Sequence, residues 1–322
     1  MQPLVSVIIP TYNRADFLGQ ALDSALGQTY KRMEIIVVDD GSTDQTAQLL
    51  DTYRKHIRYI YQEHSERSKA RNLGITESSG EYIAFLDSDD LWLPEKVECQ
   101  VKILRKDRSI GVSYTGVQYM NEDGSPYEGK ICWAGLERRR RYLYEDLMTR
   151  NVISGSASSV LLRRDCLDVA GGFDETMNAC EDMDLWRRLA LCCRFHKIDL
   201  PLVKLRIHPS NTQGGRSEMA KGYQKILWKI CRENIPFESR RYRNEAIVKL
   251  LAQIASLYRQ DHSRGRTILL CGKCLATNIH CLLTMTFWYD LFRVGRNRFD
   301  RSPGDAEQED NPARGLQSEK YT

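Results

Sequence analysis

The sequence lacks a stretch that reads as a membrane span. Cys274–Tyr289 is uncharged but only about 16 residues long, short of the roughly 20 that cross a bilayer as a helix. The start, Met1-Gln2-Pro3-Leu4-Val5, has no basic segment leading into a long apolar one, so no signal peptide is read there. A GxGxxG turn is missing after the first strand, and so is a GxxxxGK[ST] loop. Those absences argue against a dinucleotide cofactor and against a P-loop cradle for phosphates. Internal repeats are absent. Charge of one sign is not in large excess: 47 Lys+Arg against 43 Asp+Glu leave +4, which excludes a histone-like or polybasic chain. The ten cysteines lack the density and spacing of a disulfide scaffold. Most, such as Cys166, Cys192, Cys193 and Cys231, fall in apolar or helical patterns and are expected to be buried thiols in a reducing cytoplasm.

What is present is a globular chain of 322 residues with 42% hydrophobic and 28% charged residues. That supports about two domains, or one large α/β domain with an extension. Apolar runs at 4–10, 34–38, 57–61 and 82–86 read as strands. Between them, helical spacing runs over 15–28, over 43–55 with Ser42 or Thr43 as cap, and over 66–79, which Gly80 closes. Pro94 is expected to open a further helix reaching about Lys106. This rhythm predicts βαβ crossovers and a mostly parallel central sheet flanked by helices, with ligands beyond the carboxyl ends of the strands. The loops there begin at Pro10, Asp39, Gln62 and Asp87. Strands about 4.8 Å apart let those loops converge on one small ligand. Further strands are expected at 111–120, 158–162 and 202–207, with a helix at 182–192. Residues 121–150 read as irregular, basic and Tyr-rich, and 301–322 as a disordered tail.

The strongest chemical feature is Phe85-Leu86-Asp87-Ser88-Asp89-Asp90, three carboxylates where an apolar strand ends. Such negative charge calls for a cation, and Mn²⁺ or Mg²⁺ bound by oxygen ligands and completed by substrate phosphates fits. Asp39-Asp40-Gly41-Ser42 is a second acidic loop, able to accept hydrogen bonds from a base or ribose.

Four blocks together carry a resemblance: Val5–Asn13, Val38–Asp44, Ala70-Arg71-Asn72-Leu73-Gly74 and Phe85–Asp90. In order and spacing they resemble the inverting family 2 glycosyltransferases of GT-A fold. Gly171-Gly172-Phe173-Asp174-Glu175 and Glu181–Leu189 are similar to that family's acceptor-side blocks, and the match covers about residues 1–212. The resemblance implies a nucleotide-diphosphate sugar donor, with UDP the expected nucleotide. Pro10, Thr11 and Tyr12 would lie beside the nucleotide, Asp40 on the base, and Arg71 near the ribose or diphosphate. Asp87, Ser88 and Asp89 form the DxD element, with Asp89 the direct metal ligand and Asp87 beside it. Asp90 would lie behind them. His208, in Arg206-Ile207-His208, matches a position that completes the metal or diphosphate site. Phe173, Asp174, Glu181 and Arg206 would line or support the acceptor side. Asp182 is the expected base for the acceptor hydroxyl. Its neighbour Glu181 would raise its pKa while a helix N-terminus would lower it.

The implied organisation is a nucleotide-sugar half (1–106), an acceptor half (107–214), a basic helical extension (215–300) and the tail (301–322). Residues 215–300 hold sixteen Lys/Arg against seven Asp/Glu, leaving the rest of the chain net acidic. Such helices suit either packing on the catalytic part or an anionic membrane surface, and the expected place is the cytoplasm, on the inner face of its membrane. Arg138–Arg141 reads as a solvated face or as a loop over an anionic or lipid-linked acceptor, with no nucleic-acid partner. Cys271-x2-Cys274 with His280-Cys281 lacks the second knuckle of a zinc site. Two other functions fit the same residues: a nucleotidyltransferase acting on sugar phosphates, and a nucleotide-sugar-binding assembly protein without activity.

Overall fold

The computed structural model describes residues 2–132, 140–153, 157–208 and 215–260. Expectations for Arg138 and Arg139, the Cys271–Cys281 segment, most of the extension beyond 260 and the 301–322 tail lie outside them.

The first half alternates β1 (Val5–Thr11), α1 (Ala15–Leu26), β2 (Met33–Asp39), α2 (Thr46–Tyr53), β3 (Arg58–Tyr61), α3 (Arg67–Thr76) and β4 (Tyr82–Phe85). β1 is buried along its whole length, as expected of a strand covered on both faces. It pairs in parallel with β2 and β4, and β2 pairs in parallel with β3. Right-handed crossovers follow from that pairing, so Thr11, Asp39 and Phe85 end at the same edge.

The second half consists of β5 (Leu91–Trp92), α4 (Lys96–Lys106), β6 (Ile110–Met120), β7 (Pro126–Cys132), α5 (Arg140–Leu147), β8 (Val160–Arg163), α6 (Arg164–Ala170), α7 (Glu181–Cys192) and β9 (Arg194–Arg206). Helices α8 (Arg216–Arg232) and α9 (Arg240–Gln260) follow. One sheet runs in the order β3-β2-β1-β4-β8-β6-β9-β5, with β7 on β6. The parallel expectation holds through β4. Beyond it, β8 is inserted antiparallel to both β4 and β6, and only β6 with β9 returns to parallel.

Local expectations shift in three places. α2 begins at Thr46, not 43, because Asp44 takes the Thr46 N–H at 3.0 Å, while Ser42 Oγ accepts from Asn13 N across the loop. Pro94 stands in a turn before α4, whose first residue is Lys96. Within 121–150, expected to be irregular, the described residues form β7 and α5. The seven described cysteines are thiols, but Cys192 and Cys231 are exposed where burial was expected.

Two apolar clusters fill the two faces of the sheet. Val7, Ile9, Leu22, Val37 and Leu86 meet α1 and α4 on one side. Ile8, Phe85, Leu162, Trp186 and Leu189 meet α5 and α7 on the other. Alternate residues of β1 thus serve opposite layers, as the period of a strand requires. Gly74 in α3 lies so close to Ile8 that a Cβ there would overlap its side chain, which brings α3 against β1 and carries Arg71 to the sheet edge.

Candidate active site

The first loop set is organised by Asp40. It is buried, and both its oxygens are occupied by the chain after β3: Oδ1 accepts from Ser65 N (2.9 Å) and Gln62 Nε2, and Oδ2 from Glu66 N (2.9 Å). His64 Nδ1 stands 2.9 Å from Asp40 Oδ2. The His64 ring stacks on Tyr12, centroids 4.1 Å apart. Gly41 makes the crossing possible. It has φ +82°, and a Cβ there would come within 2.7 Å of His64 N, so only glycine fits. Asp39 accepts from Ser42 N (2.9 Å) and Tyr59 Oη (3.1 Å); burial and that carboxylate push the Tyr59 phenol up to about 12. Asp40, expected on a base, holds the loop that carries His64. Pro10 and Thr11 are buried beside it in β1, and Thr11 Oγ1 finds no partner among the described residues.

The second loop is the acidic one. Ser158 Oγ accepts from Asp87 N (3.0 Å) and donates to Asp90 Oδ2 (2.7 Å), fixing both ends of the turn. Asp90 is buried, with Arg206 N 3.2 Å from Oδ1; burial first, then the charges of Asp89 and Asp87, raise its pKa well above the usual carboxylate range. With Ser158 Oγ–H and Arg206 N–H on its two oxygens, Asp90 braces the acidic turn from behind. Ser88 is buried between them. Asp89 Oδ2 meets His208 Nε2 at 2.9 Å and lies 4.0 Å from Arg14 Nε. Arg206 fixes this pair from behind. It donates Nε–H to Asp89 O (3.0 Å) and Nη2–H to Gln20 Oε1 (2.8 Å), and its guanidinium lies 4.8 Å over the Phe17 ring that His208 also contacts.

The third group sits across a buried bridge. Arg71 is 2% exposed and donates to Asp87 Oδ1 (2.7 Å) and Glu181 Oε1 (2.8 Å), with Phe173 5.1 Å beneath it. Burial disfavours its charge, but the two carboxylates more than compensate and raise its pKa. Asp182 follows Glu181 in the first turn of α7. Its Oδ1 accepts from Met183 N (2.7 Å) and its Oδ2 from Asn151 Nδ2 (2.8 Å). Burial chiefly, and Glu181 next, lift its pKa to about 6 against the pull of Met183 N–H and Arg71. The contest left open by the sequence goes to burial and the like charge. Phe173 packs edge-on to Phe85. Asp174, expected near the acceptor, is an anchor: Lys229 Nζ is 2.7 Å away, and although burial opposes it, Lys229 and Thr176 hold the carboxyl down at about 2.

Three comparisons bear on this geometry. The family description "Glycosyl transferase family 2" matches residues 6–169. An uncharacterized glycosyltransferase of Rickettsia prowazekii (strain Madrid E) is 34% identical over 233 residues, 70% of either chain. The chain belongs to glycosyltransferase family 2. A Bacillus subtilis (strain 168) protein named "Putative teichuronic acid biosynthesis glycosyltransferase TuaG" is 41% identical over 132 residues, covering 39% of this chain and 52% of that one. The crystal structure of S. aureus TarS 1-349 in complex with UDP-GlcNAc superposes with a TM-score of 0.63 at 18% identity, covering 90% of this chain and 87% of that one. The fold is the GT-A type of mixed α/β sheet.

In this family 2 glycosyltransferase seven of the expected residues form two neighbouring groups, Asp87–Arg71–Glu181–Asp182 and Asp89–His208–Arg206. Two partners were not legible in the sequence. His64 lies in a loop already marked by the strand end before Gln62, but its stack on Tyr12 is a non-local contact. Asn151 carries no motif at all.

Two outcomes follow from Asp182. If it is the base, kcat/KM falls about tenfold per pH unit below about pH 6 and is flat just above it, because only the carboxylate accepts a proton. A steady-state pH series checks this; a flat profile from pH 5 to 8 would contradict it. Asn151→Ala removes a donor from the charged carboxylate, a loss of about 1.5 kcal/mol. The acidic limb of kcat/KM then moves upward by about one unit, with kcat above the limb and donor KM little changed.

Proposed function

We propose that this family 2 enzyme moves a sugar, with inversion, from a UDP-sugar to a hydroxyl of a glycan or lipid-linked acceptor in cell-surface polysaccharide synthesis. The observation that carries the proposal is Asp182. Its pKa of about 6 suits proton acceptance near neutrality, and the buried Arg71 joins its neighbour Glu181 to Asp87 on the donor side. In the displacement the acceptor oxygen bonds to the anomeric carbon, its proton passes to Asp182 Oδ2, and the glycosyl–oxygen bond breaks with its electron pair on the diphosphate. Asp182 must exchange Asn151 for the acceptor hydroxyl at Oδ2, since Oδ1 stays on Met183 N.

The donor set fits a hard divalent ion. Among the described residues no three ligating side chains already converge, but Asp89 and His208 meet as a pair, leaving the remaining positions of an Mn²⁺ or Mg²⁺ to diphosphate oxygens and water. Asp89 and His208 would hold the ion, with Asp87 beside them; bound there it would offset the charge of the departing diphosphate. Arg206 keeps the Asp89 backbone in place, and Thr11 and Tyr12 border the nucleotide side. The relative named for teichuronic acid biosynthesis and the neighbour that binds UDP-GlcNAc support the donor and acceptor classes. A product assay over UDP- and GDP-sugars with Mn²⁺ and with Mg²⁺ tests the reading. UDP release is expected; pyrophosphate release would mark a nucleotidyltransferase, and no release with tight donor binding would mark an inactive assembly protein.

A further inference from the structure

We propose that the closed end of the α8–α9 hairpin docks on an anionic phospholipid surface. The hairpin is antiparallel. Ala220 packs in one cluster with Ile254, Leu257 and Tyr258, and Gln224 Nε2 donates to Tyr258 Oη at 3.0 Å. The reversal at 233–239 is therefore its far end.

One side of the hairpin is committed to the catalytic part. Lys229 Nζ reaches Asp174 (2.7 Å) and Asp184 (2.8 Å), and Glu233 pairs with the buried Arg187. Gly222 lies against the Ala179 carbonyl, where a Cβ would come within 2.5 Å. These contacts, with Ile226, Ile230 and Ile235 buried in the core, hold the hairpin in place.

The outward residues are of two kinds. Trp228 is 56% exposed and Phe237 is 81% exposed. Single exposed apolar residues are ordinary, but these large rings belong to one helix end and its turn. The other kind is arginine, and each lies over a ring: Arg232 over Trp228 at 4.1 Å, Arg241 over Tyr242 at 4.6 Å and Arg240 over Phe237 at 5.7 Å. Among the described residues none of these three guanidinium groups has a carboxylate within salt-bridge reach. Residues 225–243 hold six Lys/Arg against two Asp/Glu, and one of those two, Glu233, is already taken by Arg187.

Rings beside guanidinium groups that have no carboxylate partner among the described residues match a phospholipid interface. The rings gain by leaving water at headgroup depth, and arginine forks onto phosphate oxygens. An acidic glycan is the competing partner. It is disfavoured because each ring already has a guanidinium over one face, and Phe237 offers a sugar no hydrogen-bonding group.

Flotation of the full chain with vesicles of phosphatidylcholine, with and without phosphatidylglycerol, tests this without reference to catalysis. Binding to the anionic vesicles is expected, falling at least tenfold at high salt, with little binding to the neutral ones. Trp228→Ser with Phe237→Ser, and separately Arg232→Glu with Arg240→Glu, should each weaken binding tenfold or more while far-UV circular dichroism is unchanged. No binding to anionic vesicles, binding that survives both double variants, or retention only on an anionic polysaccharide column would each overturn the proposal. UDP release on a soluble acceptor is read alongside and should be the same in wild type and variants, so failure here is distinct from failure of the proposed function.

Discussion

Arg71→Met is expected to be the most damaging single substitution in the molecule. The guanidinium is 2% exposed and is the cation that hydrogen-bonds both Asp87 and Glu181. Removing it leaves two carboxylates facing each other across the space methionine would fill. Breaking a buried ion pair from one side costs about 3–5 kcal/mol, a large share of the roughly 5–15 kcal/mol that holds a domain folded. The melting temperature should fall by several degrees or more, and transfer should be lost. A second variant separates the two effects. Adding Asp87→Asn and Glu181→Gln to Arg71→Met removes the stranded charges. Thermal stability should then recover most of the way while activity stays absent. If Arg71→Met alone melted like wild type, the bridge would not be the tie between the two halves of the site. Arg71→Lys should fall between, because one ammonium cannot span both partners as two separate N–H groups do.

Much of this site was legible because its signals are local. The acidic run 87–90, the Glu181-Asp182 pair and His208 stand at strand or helix ends that apolar periodicity already marked. What was not legible depends on distant pairing. β7 alternates between exposed and half-buried positions, so its run of Tyr, Glu, Gly and Lys carries no apolar signature. β5 is two residues long and exists only through its pairing with β9. The place of β8 between β4 and β6 is set by distant pairs such as Tyr114 with Val160 and Tyr82 with Arg163, which no local window of sequence contains. Charge in the extension was legible as an excess, but its division was not. Lys229 and Glu233 are paired with the catalytic part, and the three ring-stacked arginines remain outside. Asp40 shows the same limit in the site, since an acidic loop after β2 gave no sign that residues 62–66 would occupy both oxygens.

Asp182→Asn should abolish transfer and leave the donor bound. The two side chains are nearly isosteric, and Oδ1 can still accept from Met183 N. The amide cannot take a proton from the acceptor, and a positioned base contributes about 10²–10⁴-fold to such a step. Neutralising Asp182 also relieves the like charge beside Glu181, so the variant should be no less stable than wild type. Donor affinity should hardly change, because Thr11, Asp87, Asp89 and His208, the residues proposed for the donor and its ion, are untouched. The deciding measurement is UDP release by wild type and Asp182→Asn under single-turnover conditions, with donor dissociation constants measured on the same samples. Matching constants and a rate at least about 100-fold lower in the variant are expected. A variant that binds the donor and releases UDP at the wild-type rate would contradict a base role for Asp182.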